Sequence, residues 1–299
     1  MSYALPRTAM TVRIGWLALL FTLLATGRAL SGDVDAVKRG EYIFRATGGC
    51  TCHTQGEEDG FLSGGRPIQT PFGTFYGTNI TPEKETGIGG WGDADFVRSM
   101  REGRSPRGAH YFPVFPYTSF TRMRRQDLVD LKAYLATVTP IHRENRPHDV
   151  WPPFSWRPLL WGWKLVNFTS GEFREDPTRS AEWNRGAYLA RALGHCEECH
   201  TPRNLLGGLH EKMAYAGTRD GPEGEVAPNI TPDRETGIGT WTVEDVVFLL
   251  KTGFTPSGDD VQGLMAEMID NGFKYLTDED LRAIAVYLWS LPPIRNEVR

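Results

Sequence analysis

The segment Cys196-Glu197-Glu198-Cys199-His200 is a C-x-x-C-H motif, which is the covalent attachment signature of c-type haem. Thiols three residues apart lie on one face of a helix, where each can form a thioether with a haem vinyl group. The imidazole of the following residue is then held against the iron as the proximal ligand. The motif therefore predicts a haem-binding helical domain in the C-terminal half of the chain.

A near copy of the motif, Cys50-Thr51-Cys52-His53, lies upstream and has one residue fewer between its cysteines. Zinc sites and redox dithiols also use C-x-x-C pairs. A structural zinc site, however, needs four ligands in paired clusters, and a redox dithiol lies in a βαβ context. In both copies a histidine directly follows the second cysteine, and the flanking patterns are helical. We therefore predict two haem c groups, with thioethers from Cys50, Cys52, Cys196 and Cys199 and proximal iron ligands from His53 and His200.

An internal repeat divides the chain into two similar halves. Asn79-Ile80-Thr81-Pro82 recurs 150 residues later as Asn229-Ile230-Thr231-Pro232. The repeat extends upstream, where Arg39-Gly40-Glu41-Tyr42 matches Arg185-Gly186-Ala187-Tyr188. Two copies indicate tandem domains rather than a solenoid.

The repeat register shows where the first motif is shortened. Cys50 aligns with Cys196, so the missing residue lies between Cys50 and Cys52. Residues i and i+2 of a helix point roughly 200° apart, since a turn takes 3.6 residues. Both thiols can then reach vinyl groups only if the local helix is distorted. We expect a haem here that is either singly attached or strained; the alternative is a degenerate site that has lost its haem.

Helical patterns dominate each half. Apolar and glycine positions recur at helical spacing before each motif, and two further helical patterns follow each motif. Strand patterns with hairpin punctuation do not stand out, although residues 70–78 fit a short extended piece. We expect an all-α protein made of two tandem class I-like cytochrome c domains. Their predicted bounds are residues 32–145 and 178–299, with an aromatic and proline-rich linker at residues 146–177.

The linker contains Trp151-Pro152-Pro153-Phe154 and then an apolar stretch, Leu159 to Val166, that predicts a short helix. One interpretation is a connector that packs across both domains. The other is an amphipathic surface that rests on a membrane or on a partner subunit. The sequence does not separate these two.

Residues 1–31 form a separate N-terminal segment. Arg7 and Arg13 precede an apolar run from Ile14 to Ala25, and small and polar residues follow. This pattern predicts a signal peptide, with retention as an N-terminal anchor as the alternative. Either outcome places the haem domains in the periplasm. The formal net charge of −4 gives no basic footprint for nucleic acid.

These motifs together resemble those of diheme c-type cytochromes related to the cytochrome subunits of membrane-bound alcohol, gluconate and aldehyde dehydrogenases. The resemblance is carried by Cys196 to Asn204, Phe115 to Phe120, both Asn-Ile-Thr-Pro segments and Arg157 to Trp163. It covers essentially the whole mature chain and implies a periplasmic electron relay that serves an oxidoreductase. Subunits of this family often carry three haems, whereas this chain has two motifs.

The distal ligand decides whether a haem carries electrons or binds small molecules. In the second half, Met265 has a loop placement before the last helix, and the resemblance implies that it is the distal ligand; Met268 and Met213 are alternatives. In the first half, the resemblance implies a methionine where this chain has Phe115. Met123 is then the candidate, and His110 or an open position are the alternatives.

The leading interpretation is an electron carrier rather than an enzyme, with no catalytic residues. It takes electrons from a periplasmic dehydrogenase and passes them to a cytochrome, an oxidase or quinone-linked machinery. The alternative is a diheme peroxidase or thiosulfate-oxidising enzyme with an exchangeable distal site at the first haem. The shortened motif and Phe115 are the basis for that alternative.

Overall fold

The computed structural model describes Met1, residues 34–56 and residues 60–298. The predicted signal peptide or anchor lies outside the described residues, apart from Met1. The first half contains helix α1 (residues 34–46), a 3₁₀ turn (Gly48–His53) and helices α2 (Asp93–Glu102), α3 (Tyr117–Phe120) and α4 (Arg125–Leu135). Helix α5 (Leu159–Asn167) follows in the linker. The second half contains helices α6 (Ala181–Tyr188), α7 (Cys196–His200), α8 (Val243–Thr252), α9 (Gly263–Asn271) and α10 (Asp278–Trp289).

Local capping explains where several of these helices begin. Thr242 accepts a hydrogen bond from the Asp245 backbone N–H, and the Asp245 carboxylate accepts one from the Thr242 backbone N–H, which forms a capping box before α8. Thr277 caps α10 by accepting from the backbone N–H of Asp280 at 3.2 Å. The helical patterns predicted before and after each motif correspond to α1, α2 and α4 in the first half and to α6, α8 and α10 in the second.

The expectation of an all-α fold was incomplete, because the first half also contains a small antiparallel sheet. Strands β1 (Pro67–Thr70) and β2 (Gly73–Tyr76) form a hairpin, and β3 (Asp149–Val150) from the linker pairs with β2. The buried side chains of Ile68 and Phe75 face each other across the hairpin. The extended piece predicted at residues 70–78 overlaps β2, whereas a two-residue strand supplied by a distant segment leaves no periodicity in the sequence.

A close helix crossing occurs once in each half, at the two glycines of the repeated Arg-Gly-x-Tyr segment. A Cβ at Gly40 of α1 would lie 1.9 Å from the Asp130 carbonyl oxygen of α4. A Cβ at Gly186 of α6 would lie 1.8 Å from the Ala283 carbonyl oxygen of α10. Each glycine therefore lets two backbones touch, and the same crossing organises both halves.

The two halves share one hydrophobic core rather than two separate ones. Fully buried side chains from α1 and α4 belong to the same cluster as those from α10 and from the π-helical turn Leu189–Leu193 that extends α6. Examples are Phe44 and Leu128 from the first half and Leu193 and Leu281 from the second. The relative placement of the two motifs is therefore set by packing.

Reciprocal hydrogen bonds connect the halves at equivalent tyrosines. Tyr42 of α1 donates to Asp280 of α10 at 2.5 Å, and Tyr188 of α6 donates to Asp127 of α4. Each tyrosine oxygen also accepts from the backbone N–H at the start of the facing helix, Thr277 at 3.2 Å and Arg124 at 3.0 Å. The interface thus has the self-complementary character of a two-fold dimer contact.

The linker helix α5 contacts both halves. Buried Lys164 donates to the carbonyl oxygens of Glu102 at 2.5 Å and Gly103 at 2.9 Å, at the C-terminus of α2. Trp163 donates its indole N–H to the Leu206 carbonyl oxygen at 2.7 Å in the second half. The outer side of the helix is apolar and open, with Trp161, Leu165 and Val166 exposed by 62%, 68% and 75%.

Candidate functional site

Helix α7 contains the whole second motif. His195 takes a left-handed conformation, with φ 40°, directly before the helix begins. The helix places Cys196 and Cys199 one turn apart on the same side, and His200 lies buried at its last position. This is the arrangement that two adjacent thioethers and a proximal imidazole require.

The imidazole of His200 is oriented by a backbone carbonyl. Its Nδ1 lies 2.7 Å from the carbonyl oxygen of Pro228, so Nδ1 carries the proton and Nε2 keeps a free lone pair. Burial lowers the pKa of His200, which keeps the ring neutral. A neutral imidazole fixed through its second nitrogen is the usual state of a metal-bound histidine.

The first motif repeats this geometry from its histidine onward. His53 Nδ1 lies 2.7 Å from the carbonyl oxygen of Thr78, the counterpart of Pro228. The carbonyl oxygens of His53 and His200 each accept a 2.7 Å hydrogen bond from a glycine N–H, Gly64 and Gly217 respectively. The orientation of the histidine is therefore preserved although the motif is one residue short.

Upstream of Cys52 the first motif differs from the second. It forms a 3₁₀ turn, within which Gly49 and Cys50 have left-handed φ values of 73° and 51°. Cys50 Sγ lies 3.6 Å from the hydroxyl oxygen of Thr47, whereas the Cys52 side chain is exposed. The missing residue therefore changes the backbone at and before Cys50 and leaves the conformation from His53 onward unchanged.

The surroundings of the cysteines fit haem rather than the alternatives. Burial raises the pKa values of Cys196 and Cys199 to about 12, whereas a redox dithiol needs a thiol with a depressed pKa. In the part of the chain that the structure describes, the only cluster of three potential metal-ligand side chains is Glu83, Glu85 and His142. It includes neither motif, so neither motif assembles the four protein ligands of a structural zinc site.

Comparison with known proteins agrees with this geometry. The chain is 43% identical over 269 residues to a diheme c-type cytochrome of Cereibacter sphaeroides, with 88% of each chain covered. It is 39% identical to the fructose dehydrogenase cytochrome subunit of Gluconobacter japonicus, of which it spans 54%. It is 35% identical to the cytochrome c subunit of a quinone-dependent alcohol dehydrogenase of Gluconobacter oxydans, of which it spans 62%. No protein-family model matches the chain.

The chain belongs to the diheme cytochrome c family. The resemblance inferred from the motifs is thereby confirmed, and the protein is an electron-transfer component rather than a catalytic enzyme. Its family implies covalently bound haem c, which the histidine and cysteine geometry of α7 fits. None of the helices in the described part of the chain is long and apolar enough to cross a bilayer.

A buried carboxylate inside the second motif of this cytochrome was missed by the sequence analysis. Glu198 is 6% exposed and accepts hydrogen bonds from Thr118 and, at 3.2 Å, from Ser119 of α3. Arg203 donates to it at 2.7 Å. Burial opposes ionisation, but the Arg203 charge and the Thr118 hydroxyl hold the pKa of Glu198 below its usual value. The motif specifies only its cysteines and histidine, and only the contact between the halves reveals the role of Glu198.

The cytochrome also brings its two motifs close together. The His195 ring packs edge-on against Phe120, with ring centroids 5.5 Å apart. Arg66 donates to Glu267 of α9 at 2.5 Å and 3.0 Å. Residues from each half therefore surround the motif of the other.

The predicted distal methionines occupy different environments. Met265 lies on helix α9 and is half-buried, so the predicted loop is a helix. Met268, one turn later, covers Gly48 of the first motif. Met123 is fully buried at the position whose counterpart in the second half is Leu276, which is 1% exposed. Phe115 packs between the rings of Tyr111 and Phe120.

The asparagines of the two Asn-Ile-Thr-Pro segments have structural roles. Asn79 accepts from the backbone N–H and hydroxyl of Thr81 and donates to the Ile141 carbonyl oxygen at 2.8 Å. Asn229 makes the matching contacts with Thr231 and Ile294. These bonds fix the loops that carry the Thr78 and Pro228 carbonyls, so the asparagines act on the histidines through the backbone.

Proposed function

We propose that the chain is a periplasmic diheme c-type cytochrome that transfers electrons from a dehydrogenase to a downstream respiratory acceptor. It consists of two tandem cytochrome c domains, residues 32–145 and 178–299, joined by the linker at residues 146–177. The observation that carries the proposal is the matched hydrogen bonding of two histidines, His53 to Thr78 and His200 to Pro228, each at 2.7 Å. Two equally oriented imidazoles support two haem c groups.

The protein residues hold and tune the group at each site. Cys196 and Cys199 provide thioethers in the second domain, Cys50 and Cys52 are the candidates in the first, and His200 and His53 are the proximal ligands. When bound, haem c supplies a one-electron iron couple whose potential depends on the axial ligands and the local dielectric. Met265 is the proposed distal ligand of the second haem. Met123 stays the candidate for the first. Leucine occupies the equivalent position 276 of the second half, so M123L would remove the proposed ligand and keep an apolar side chain that the fold accommodates there.

The electron donor is proposed to be a dehydrogenase subunit that docks on the apolar outer side of α5. The named relatives include cytochrome subunits of fructose and alcohol dehydrogenases. Trp161, Leu165 and Val166 are exposed although they are large and apolar. Tryptophan is enriched among the side chains that anchor a protein partner.

The haem content and the ligation state test the proposed function directly. The full chain is expressed in a host that matures c-type cytochromes, and haem is quantified per chain as the pyridine haemochrome. We expect two haems, both low-spin in the electron paramagnetic resonance spectrum of the oxidised protein. One haem per chain would refute the diheme proposal, and a high-spin haem that binds cyanide would favour the peroxidase or thiosulfate-oxidising alternative.

The docking surface is tested with W161S/L165S and with the matched control F248S, which removes an exposed phenyl ring elsewhere. Membranes that contain the donor dehydrogenase are supplied with alcohol, gluconate or fructose, and reduction of the added cytochrome is followed optically. Loss of a tryptophan anchor is expected to weaken binding about tenfold for the double variant only. Unchanged reduction with lost binding to anionic phospholipid vesicles would show instead that α5 rests on the membrane.

A further inference from the structure

The short first motif leaves one cysteine in the ordinary position and displaces the other. Cys52 precedes His53 just as Cys199 precedes His200. From the histidine onward the two motifs make equivalent hydrogen bonds, and these include bonds to the threonine that follows each histidine. Thr54 Oγ1 accepts from the Leu62 N–H at 3.0 Å, and Thr201 Oγ1 accepts from the Tyr215 N–H at 3.0 Å. Cys52 therefore keeps the position that Cys199 has relative to its imidazole.

Cys50 does not keep the position of Cys196. In α7 the two cysteines are one helical turn apart, whereas Cys50 is two residues from Cys52 and has φ 51°. Positions i and i+2 diverge by roughly 200° in an α-helix. The Cys50 sulfur instead lies within hydrogen-bond distance of Thr47 Oγ1, at 3.6 Å. The Cys50 side chain also packs against the shared core.

The 3₁₀ turn cannot readily rearrange to bring Cys50 back. Gly48 and Gly49 take φ values of 76° and 73°, which a residue with a side chain rarely adopts. Helix α9 closes over both: a Cβ at Gly48 would lie 2.1 Å from Met268 Sδ, and one at Gly49 would lie 2.8 Å from the Asn271 carbonyl oxygen. The conformation of the turn is thus held by the second half of the molecule.

We infer that the haem of the first site is attached through Cys52 alone and that Cys50 stays a free thiol. This inference rests on the proposed function, because it requires a haem at His53. The S–H bond of Cys52 adds across one vinyl C=C bond, forming a C–S bond and transferring the hydrogen to the neighbouring vinyl carbon. The addition needs no external oxidant or reductant. The second vinyl group stays intact.

Thiol labelling of the haem-loaded chain tests the inference. The purified protein is denatured, treated with iodoacetamide and digested, and the peptides are analysed by mass spectrometry. We expect one alkylated cysteine per chain, at Cys50, on a peptide that also carries haem. The pyridine haemochrome spectrum should show a red-shifted component from the porphyrin that retains a vinyl group.

Each result has a distinct meaning. Haem on the first-motif peptide with no alkylatable thiol would show two thioethers and overturn this inference while leaving the diheme function intact. Alkylation at Cys52 with Cys50 attached would also overturn it. A first-motif peptide that carries no haem and two alkylated cysteines would overturn the proposed function itself.

Matched cysteine variants provide a second readout. C50A should retain covalent haem at both sites, whereas C52A should lose it at the first site only. At the ordinary second motif, C196A and C199A should each leave a single thioether and one vinyl group. Inserting one alanine between Thr51 and Cys52 should restore C-x-x-C-H spacing and abolish alkylation at Cys50. Retention of the alkylated Cys50 after this insertion would show that spacing is not the cause.

Discussion

The two motifs of this cytochrome agree in how they orient a histidine and differ in how they present a cysteine. His53 and His200 are held by equivalent carbonyl oxygens at the same 2.7 Å distance, although the spacing before them differs by one residue. The carbonyl-bearing loop, fixed by Asn79 or Asn229, therefore sets the orientation of the histidine ring independently of the first cysteine. The orientation of the histidine and the placement of the first cysteine are separable properties of the motif.

A second difference lies in how each motif is buried. The second motif carries Glu198, which reaches across to Thr118 and Ser119 of the first half. The first motif has Thr51 between its cysteines and is covered by Met268 of α9. A charged contact thus holds one motif and an apolar contact the other.

The largest expected effect comes from removing the partner of the buried carboxylate. R203M leaves Glu198 6% exposed and without its guanidinium, so we expect a loss of about 3 kcal/mol in the free energy of unfolding. Guanidinium denaturation of the haem-loaded protein measures it. R295M, which removes an ion pair to Glu235 in which both side chains are more than half exposed, should cost much less.

The double variant E198Q/R203M separates a charge effect from simple loss of packing. With the carboxylate neutralised, most of the lost stability should return, giving a clear coupling energy in the double-mutant cycle. Additive losses would show that Glu198 and Arg203 do not act as a pair.

The next largest loss of stability is expected at the two glycine helix crossings, and it should be equal in both halves. G40A and G186A each place a methyl group within 2 Å of a carbonyl oxygen on the facing helix, so the helices must separate. Overpacking of this kind costs about 2–3 kcal/mol. Thermal unfolding of the two variants checks the equivalence. G162A of α5, where a Cβ meets nothing within 4 Å, is the control and should not destabilise the protein. A large difference between G40A and G186A would mean that one crossing is dispensable.

The sequence was informative wherever a feature repeats locally. Helices α2, α4, α8 and α10 follow from apolar periodicity. The paired histidines follow from the motif itself. Each of these is determined by residues within a few positions of one another.

The sequence was uninformative wherever distant segments meet. Strand β3 is two residues long and exists because β2 lies beside it. Helix α9, predicted as a loop, begins at Gly263, where Glu225 from a different loop accepts from the Leu264 N–H at 2.9 Å. Burial of Glu198 depends on α3 of the other half. Tertiary contacts override local propensity in all three cases.

The sheet that distinguishes the first half should make its stability pH-dependent. His148 Nδ1 accepts a hydrogen bond from the Tyr76 N–H at 3.2 Å, and burial together with nearby Arg157 lowers the pKa of His148 to about 4. Below pH about 6.5 the imidazole of His148 binds a proton in the unfolded chain, whereas in the folded protein it stays neutral until the pH approaches its lowered pKa. Stability should therefore fall as the pH drops from about 6.5 to 4, by about 1–2 kcal/mol after allowance for partial exposure.

H148N isolates this contribution, because an asparagine oxygen can accept the Tyr76 hydrogen bond and does not titrate. The variant should match the parent more closely at neutral pH than at low pH, where only the parent loses stability. Denaturant midpoints at several pH values between about 4 and 7 measure the difference. Parallel pH profiles for parent and variant would contradict the assignment to His148.

The smallest expected effect tests the reciprocal contact between the halves. Y188F removes a hydroxyl from a fully buried ring that donates to Asp127 and accepts from the Arg124 N–H, which should cost about 1–2 kcal/mol. Y42F removes the equivalent hydroxyl, but Asp280 keeps two hydrogen bonds from Arg185, at 2.8 Å and 2.6 Å. Its cost should be about 0.5–1 kcal/mol. Both stability losses are measured by denaturant unfolding. A larger loss in Y42F than in Y188F would show that the burial of the tyrosine does not decide which loss is larger. The two tyrosines come from the same repeated segment. The ratio of the two losses in the free energy of unfolding therefore reports how far the halves have diverged in the reciprocal tyrosine–aspartate contact between them.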